Sequence, residues 1–384
     1  MLDRNKVVRQ LSTLVEKIFP DLKNQSDVAE VTFNIIAHDS LFMKKVDQSQ
    51  SSFLLPFWDG NLQDTYEIKK DMQEYTVLSC DGSQIYPDRN MGGARCFLIN
   101  LGGCFLHYSS TQKSKASFFS TPKIFLPQDI LSDEKMQFSM DLVDLKREEL
   151  ELKTLFEKAI EQKSTNPICL VDGTLIFWFL EGKQPDVKEF FLAKYLYWLN
   201  KFYEEKIPVA GYISFPKSRE IVNLIRLGLC RFDFADCIVC HKKYQDFPCT
   251  AVDNVIDTHV LRSFLQPGHR STIFWSNSKI VNNYPEQLKP CFFYVHVGQE
   301  IVRIETVRWV VERKDMLEKL CAVAFDQSVK GCGYPVVISE SHEQAVVKGP
   351  DRDFFYHVIQ KIGIEQQRRF FVSQKSLKKR RMGV

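Results

Sequence analysis

The stretch YTVLSCDGS, residues 75–83, and its near repeat ICLVDGT, residues 168–174, decide how this chain is read. Each is an apolar run of strand length that ends on a carboxylate, Asp81 or Asp172, followed by a glycine and a hydroxyl residue. The strand fixes the carboxylate rigidly, and the glycine permits a tight turn or the close approach of a ligand. One Asp-Gly is an everyday turn signal, so the repetition carries the weight. Two such acids on neighbouring strands could hold a divalent cation between them. Hard oxygen ligands favour Mg²⁺ or Mn²⁺, which can activate water and stabilise the oxygens of a displaced phosphoryl group. A third carboxylate is then wanted from the helix between the two strands. There Glu148 lies close to the apolar face and Glu151 on its flank, and either could reach a shared ion.

Between the repeats, residues 93–108 (GARCFLINLGGCFLHY) read as strand material around a turn or bulge at Gly102-Gly103. Residues 141–163 carry apolar side chains at Leu145, Leu152, Leu155, Phe156 and Ala159, the face of a helix lying on a sheet. Further strands are expected at 208–214, 291–297, 301–305 and 335–339, and helices at 219–229, 313–325 and 351–362. Alternating elements interrupted by hairpin-like pairs predict an α/β fold with a mixed sheet flanked by helices. Residues 1–70 read as a helical extension ending in a loop with Pro56, Asp59 and Gly60, residues 71–362 as the main domain, and residues 363–384 as a basic tail.

The 384 residues are 44% hydrophobic and 26% charged, which excludes a disordered, collagen-like or disulfide-framework chain. The net charge of +3 is uneven: the tail holds seven Lys or Arg against Glu365 alone, a distribution suited to a phosphate backbone. Eleven cysteines without a secretory leader predict free thiols and a cytoplasmic location. No apolar run reaches the roughly 20 residues of a membrane span.

Other candidates lie outside the two repeats. Lys217, after a strand and Pro216, could neutralise a phosphate, and Arg270 beside Ser271 could grip one bidentately. Arg303 and Glu305 alternate on one strand face, as a phosphate contact or a structural ion pair. His342 could be a ligand, a general acid or a phosphate contact, and Tyr334 could orient nucleic acid or water. Cys230, Cys237, Cys240, His241 and Cys249 resemble a zinc site but lack two well-separated pairs, so apolar use of Cys is the expectation.

Several blocks, in this order, resemble the NurA family of DNA-repair nucleases: CDGSQ at 80–84, REELELKTL at 147–155, CLVDGTLI at 169–176, AGYISFPKS at 210–218, PGHRSTIF at 267–274, YVHVGQEIVRIE at 294–305 and GYPVVISESHEQA at 333–345. The resemblance implies a ribonuclease H-like core and a Mn²⁺- or Mg²⁺-dependent nuclease. Its ligands would fall on Asp81, Glu151 and Asp172, with Glu151 matching better than Glu148, and with Lys217 and His342 at the site. Tyr334 falls in the last block, and with Arg270 and Arg303, read from their own chemistry, it is an expected DNA contact. The resemblance further implies 5′-to-3′ exonuclease or single-strand endonuclease activity, a homodimer and a HerA-like hexameric ATPase partner. The chain departs from the pattern at Ser341 and in its long N-terminal part. A binding module of the same fold without catalysis, or a small-substrate phosphatase, is the alternative.

Overall fold

The computed structural model describes residues 2–19, 22–70, 72–87, 91–92, 96–111, 113–130, 138–367 and 371–372. The basic tail from Arg368 onward, apart from residues 371–372, lies outside the described residues. The strands run β1 (Phe57–Trp58), β2 (Thr65–Glu67), β3 (Tyr75–Ile85), β4 (Met91–Gly92), β5 (Phe97–Tyr108), β6 (Lys115–Phe125), β7 (Ile168–Asp172), β8 (Val209–Ile213), β9 (His269–Ser271), β10 (Phe274–Trp275), β11 (Pro290–His296), β12 (Ile301–Val307) and β13 (Phe371–Val372). The helices run α1 (Arg4–Ser12), α2 (Val15–Ile18), α3 (Lys23–His38), α4 (Phe42–Gln48), α5 (Met140–Glu161), α6 (Pro185–Glu205), α7 (Glu220–Gly228), α8 (Cys237–Lys243), α9 (Asp257–Leu261), α10 (Arg308–Val311), α11 (Lys314–Lys330), α12 (Val336–Ala345) and α13 (Gly349–Glu365).

One mixed sheet of eleven strands among the described residues organises the chain, in the order β1-β10-β11-β12-β8-β7-β3-β5-β6, with β2 and β9 joined at its side. The strands β3, β5 and β6 form an antiparallel meander. Beside β3, β7 and then β8 add in parallel, each reached through a crossover helix, α5 and α6. The antiparallel strands β12 and β11 extend the sheet beyond β8. This is the expected ribonuclease H-like arrangement, with helices on the sheet and a helical N-terminal extension.

Alternation along β11 shows how the two faces are served. Phe293 and Val295 join the core under α5, α6, α11 and α12, whereas Phe292 and Tyr294 face a second core with α3, α4, α7 and α9. The N-terminal extension therefore packs into the molecule through Ala29, Phe33, Ile36, Phe42 and Val46. It also contributes strands, since β1 pairs with β10 and β2 with β9.

Three local expectations are corrected. The segment 335–339 is not a strand: Pro335 precedes α12, whose buried Val337, Ile338, Ser341 and Ala345 follow a helical spacing, so packing overrides the β propensity of Val-Val-Ile. The first repeat does not turn at Asp81, because β3 continues to Ile85 opposite an equally unbroken β5. Gly102 and Gly103 sit inside β5 for clearance: a Cβ at Gly102 would stand 2.1 Å from the backbone nitrogen of Ala345 in α12, and one at Gly103 would meet the Phe119 ring. Strand β6 shows no apolar alternation, since it is an edge strand with most of its side chains exposed.

Candidate functional site

The register of the parallel pair brings the two repeats together. Val77 lies opposite Ile168 and Leu78 opposite Cys169, an offset of 91, which puts Asp81 level with Asp172 and on the same face. The pairing stops at Leu78 and Cys169, so the strands part just before their carboxylates and leave space between them. The two Asp-Gly pairs differ beyond that point. Gly173 turns the chain, with φ +113°, whereas Gly82 stays in the strand. A Cβ at Gly82 would fall 2.6 Å from Oε1 of Glu151 and 2.8 Å from Cγ of Arg147, so this glycine is the seat on which α5 lays its charged side chains.

Helix α5 presents Leu142, Leu145, Leu152 and Leu155 to the core and lays Arg147 and Glu151 on β3, with Glu148 beside Arg147. Arg147 donates to Glu151 at 2.7 Å and to the Gly82 carbonyl at 3.2 Å. Glu151 is 9% exposed; burial, and then repulsion from Asp81 and Glu148, hold its carboxyl well above the ordinary range against the pull of Arg147. Glu148 is raised to about 7, chiefly by burial, and it senses Arg147 and Asp144. Geometry thus puts Glu151, rather than Glu148, against Asp81.

Asp81 accepts its own Gly82 N–H at 2.7 Å and meets Nδ1 of His342 at 2.8 Å. His342 is held there by α12, whose terminal carbonyls are taken by Asn100 and by Ser83, the hydroxyl residue of the first repeat. Asp172 stands at the tip of β7 and accepts the Tyr334 hydroxyl; partial burial and the charge of Asp81 raise its pKa, while Tyr334 and His342 work against the rise. Lys217 is exposed in the loop after β8, at the same end of the sheet, because Tyr212 of β8 lies opposite Asp172.

The remaining expected site residues lie elsewhere. Arg270 donates to the Ser271 carbonyl and stacks on Tyr66 at 4.0 Å, in a cleft of about 610 Å³ shared with Lys69, Lys314 and Glu318. Arg303 is 2% exposed and is spent inside the protein on Glu220 and Glu305, which corrects its expected contact with DNA. The thiols of Cys230 and Cys237 lie near those of Cys240 and Cys249, and the His241 ring packs on Phe247. All eleven cysteines are free.

Two further residues have a part in this region that their local sequence did not indicate. Arg147 sits among the acids, and its place in the block at 147–155 gives no sign of that role. Glu305 holds the second repeat: its carboxylate accepts the Thr174 hydroxyl at 2.6 Å and the Leu175 N–H at 2.9 Å, and so fixes the turn after Asp172. Its signal was the alternation with Arg303, which gave no hint of the loop it serves.

Among the described residues no group of three or more His, Cys, Asp or Glu is assembled to hold a metal ion, at the carboxylates or at the cysteines. The polar partners explain this at the carboxylates, since Asp81 is turned to His342, Glu151 to Arg147 and Asp172 to Tyr334. The charge nevertheless suits a hard cation: Asp81, Asp144, Glu148 and Glu151 surround the guanidinium of Arg147, and Asp172 adds its charge beside Asp81. No described helix is long and apolar enough to cross a membrane.

A family model described as NurA domain matches residues 75–347, the span that holds every residue of the carboxylate site. The NurA nuclease from Sulfolobus solfataricus has a similar crystal structure, with a TM-score of 0.51 at 13% identity over 95% of this chain and 98% of that one. No curated protein matches.

Proposed function

The chain belongs to the NurA family, and from that premise we propose that it is a metal-dependent DNA nuclease. The observation that carries this reading is the excess of carboxylates where β3 and β7 part, with Asp81 and Asp172 in register and Glu151 laid over Gly82. Asp81, Glu151 and Asp172 would hold Mn²⁺ or Mg²⁺. Such an ion supplies Lewis acidity, polarising phosphoryl oxygens and lowering the pKa of water at the reacting phosphorus.

The protein's own groups have separable tasks. Lys217, on the rim, neutralises charge on the scissile phosphate. Tyr334 fixes the Asp172 carboxylate, and Glu305 fixes the turn behind it. With Nδ1 of His342 directed at Asp81, its Nε2 faces outward to take or deliver a proton at a DNA oxygen. Arg147 keeps Glu151 in place beside Gly82. Arg270 meets DNA outside the reacting centre. Family membership supports DNA as substrate, processed from 5′ to 3′ or within single strands, by a cytoplasmic homodimer working with a HerA-like ATPase.

The test is cleavage of end-labelled single- and double-stranded DNA by the full-length protein with Mn²⁺, with EDTA, and as Asp81→Ala. Cleavage that both EDTA and the substitution abolish is expected. Cleavage that persists in EDTA, or in Asp81→Ala, overturns the reading.

A further inference from the structure

Immediately beyond β8 the chain exposes a large aromatic ring in an unusual way. Phe215 is 78% exposed, although burial of such a ring is strongly favourable. Its φ of +44° lies in the left-handed region, which bulky side chains rarely occupy. The backbone is clamped there from both sides: the Phe215 N–H donates to the Glu300 carboxylate at 3.0 Å, from the turn between β11 and β12, and the next residue, Pro216, is buried. A ring held in solvent by a strained and anchored backbone has no packing role to explain it, and strain of this kind gathers at ligand sites.

Its place says which ligand. Tyr212, three residues earlier, lies opposite Asp172 in the parallel register. The Tyr212 ring packs edge-on against Tyr334 at 5.7 Å, and the Tyr334 hydroxyl is on Asp172. Three residues of chain and one strand spacing keep the Cα of Phe215 within about 15 Å of that of Asp172. Exposed Lys217 follows two residues later. An aromatic face followed by a free ammonium is the pairing that engages a base and a phosphate of single-stranded nucleic acid.

We propose that Phe215 is a stacking platform for one unpaired base of single-stranded DNA, a few nucleotides from the phosphate at the carboxylate site. The inference rests on the nuclease reading and deepens it: a duplex must be opened before its strand reaches Asp81 and Asp172, because a paired base has no free face for the ring. Phe215 is then a specificity residue for single strands.

The test measures binding apart from cleavage. Full-length protein in EDTA is titrated into fluorescein-labelled single-stranded 12-mers, one intact and a series with a single abasic sugar moved along the strand. Stacking predicts that Phe215→Ala weakens binding of the intact strand by about five- to a hundredfold. One abasic position should weaken the wild type equally and cost Phe215→Ala nothing more, closing a double-mutant cycle. Phe215→Trp should bind at least as well as the wild type, and Phe215→Leu, of similar bulk without a π face, should bind like the alanine variant. The proposal is overturned if Phe215→Ala binds as the wild type does, if abasic penalties are the same in both, or if the wild type does not bind single strands. It is also overturned if Phe215→Ala alters the sedimentation of the free protein, since the ring then serves contact with a second copy. Assays of the same samples with Mn²⁺ separate the two readings: a closed cycle without cleavage removes the nuclease and keeps the platform, and cleavage without a cycle does the reverse.

Discussion

Two clusters of acids and arginine lie within one strand of each other at the end of this sheet, and they are built on opposite principles. Around Arg303 the charges are closed upon themselves. Its guanidinium, over the Phe292 ring at 3.7 Å, is shared by Glu220 and Glu305, and the far oxygen of Glu305 is taken by Thr174 and Leu175. Next to it, Asp257 accepts the Glu220 and Val222 N–H groups and the Tyr294 hydroxyl. Around Arg147 four carboxylates meet one guanidinium, with Asp172 beside Asp81, and burial pushes the pKa values of Glu148, Glu151 and Asp172 upward as it does those of Glu220 and Asp257, but here fewer donors answer the charge. A satisfied buried cluster holds a fold in one arrangement. A cluster left with surplus negative charge is an electrostatic cost that a cation relieves.

The contrast is broken most sharply at the second cluster's own acids. Asp81→Ala and Asp172→Asn should each cut DNA cleavage by about a thousandfold or more, several kcal/mol of transition-state stabilisation, with no loss of thermal stability. A fall in Tm in step with activity would mean that these acids are structural after all. Arg303→Ala should do the opposite. It strands two buried carboxylates and should cost about 3–5 kcal/mol in urea unfolding, with cleavage falling only as far as the folded fraction does. An Arg303→Ala protein that is fully folded yet unable to bind DNA would return Arg303 to the interface.

Acidity sharpens the comparison further. Glu148 titrates near 7 in the folded chain and near 4.5 when unfolded, and Glu151 and Asp172 are displaced in the same direction. The native state therefore keeps protons that the unfolded chain has lost. The stability this gives is fully present below about 4.5 and is lost as pH rises through about 7. Without metal, Tm should drop over that window by the equivalent of about 1–3 kcal/mol, and Mn²⁺ should raise Tm more at pH 8 than at pH 5. Equal Mn²⁺ stabilisation at both values, by calorimetry, would detach the ion from these carboxylates. The smallest effect is expected at the junction of the clusters. Glu305→Gln keeps an acceptor for Thr174 but weakens the tie to Arg303, and should cost about 1–2 kcal/mol and slow cleavage roughly tenfold by loosening the turn behind Asp172. A larger loss of stability than that of Arg303→Ala would place the keystone at Glu305.

What the sequence disclosed follows from the range over which each signal acts. The helix at 141–163 and the strand at 168–172 were legible because their apolar spacing is local and strong. The edge strand β6 was not, since only Phe119 and Phe125 pack inward while Phe118 and Ile124 are exposed, which leaves no alternation to read. Residues 335–339 misled because Val-Val-Ile favours a strand in isolation, whereas β3 and β5 offer that segment a surface for a helix. Repetition marks Asp81 and Asp172 in the sequence, and the register of β3 and β7 brings them level. The division between Glu151 and Glu148 rested on where Gly82 leaves room, and the fate of Arg303 rested on Glu220, 83 positions away. Neither distance is written in a local pattern.

Gly102 has no functional group and lies in the middle of a strand, yet it is the floor on which the His342 helix rests. Any side chain there would lift α12 from β5 and draw His342 away from Asp81. In a loss-of-function screen, alleles at codon 102 would sort with those at codons 81 and 172. Read by phenotype alone they would pass for active-site lesions, although the lesion is one carbon atom of excess volume. The genetic footprint of this site is therefore wider than its chemistry, and it extends along β5 as far as α12 touches it.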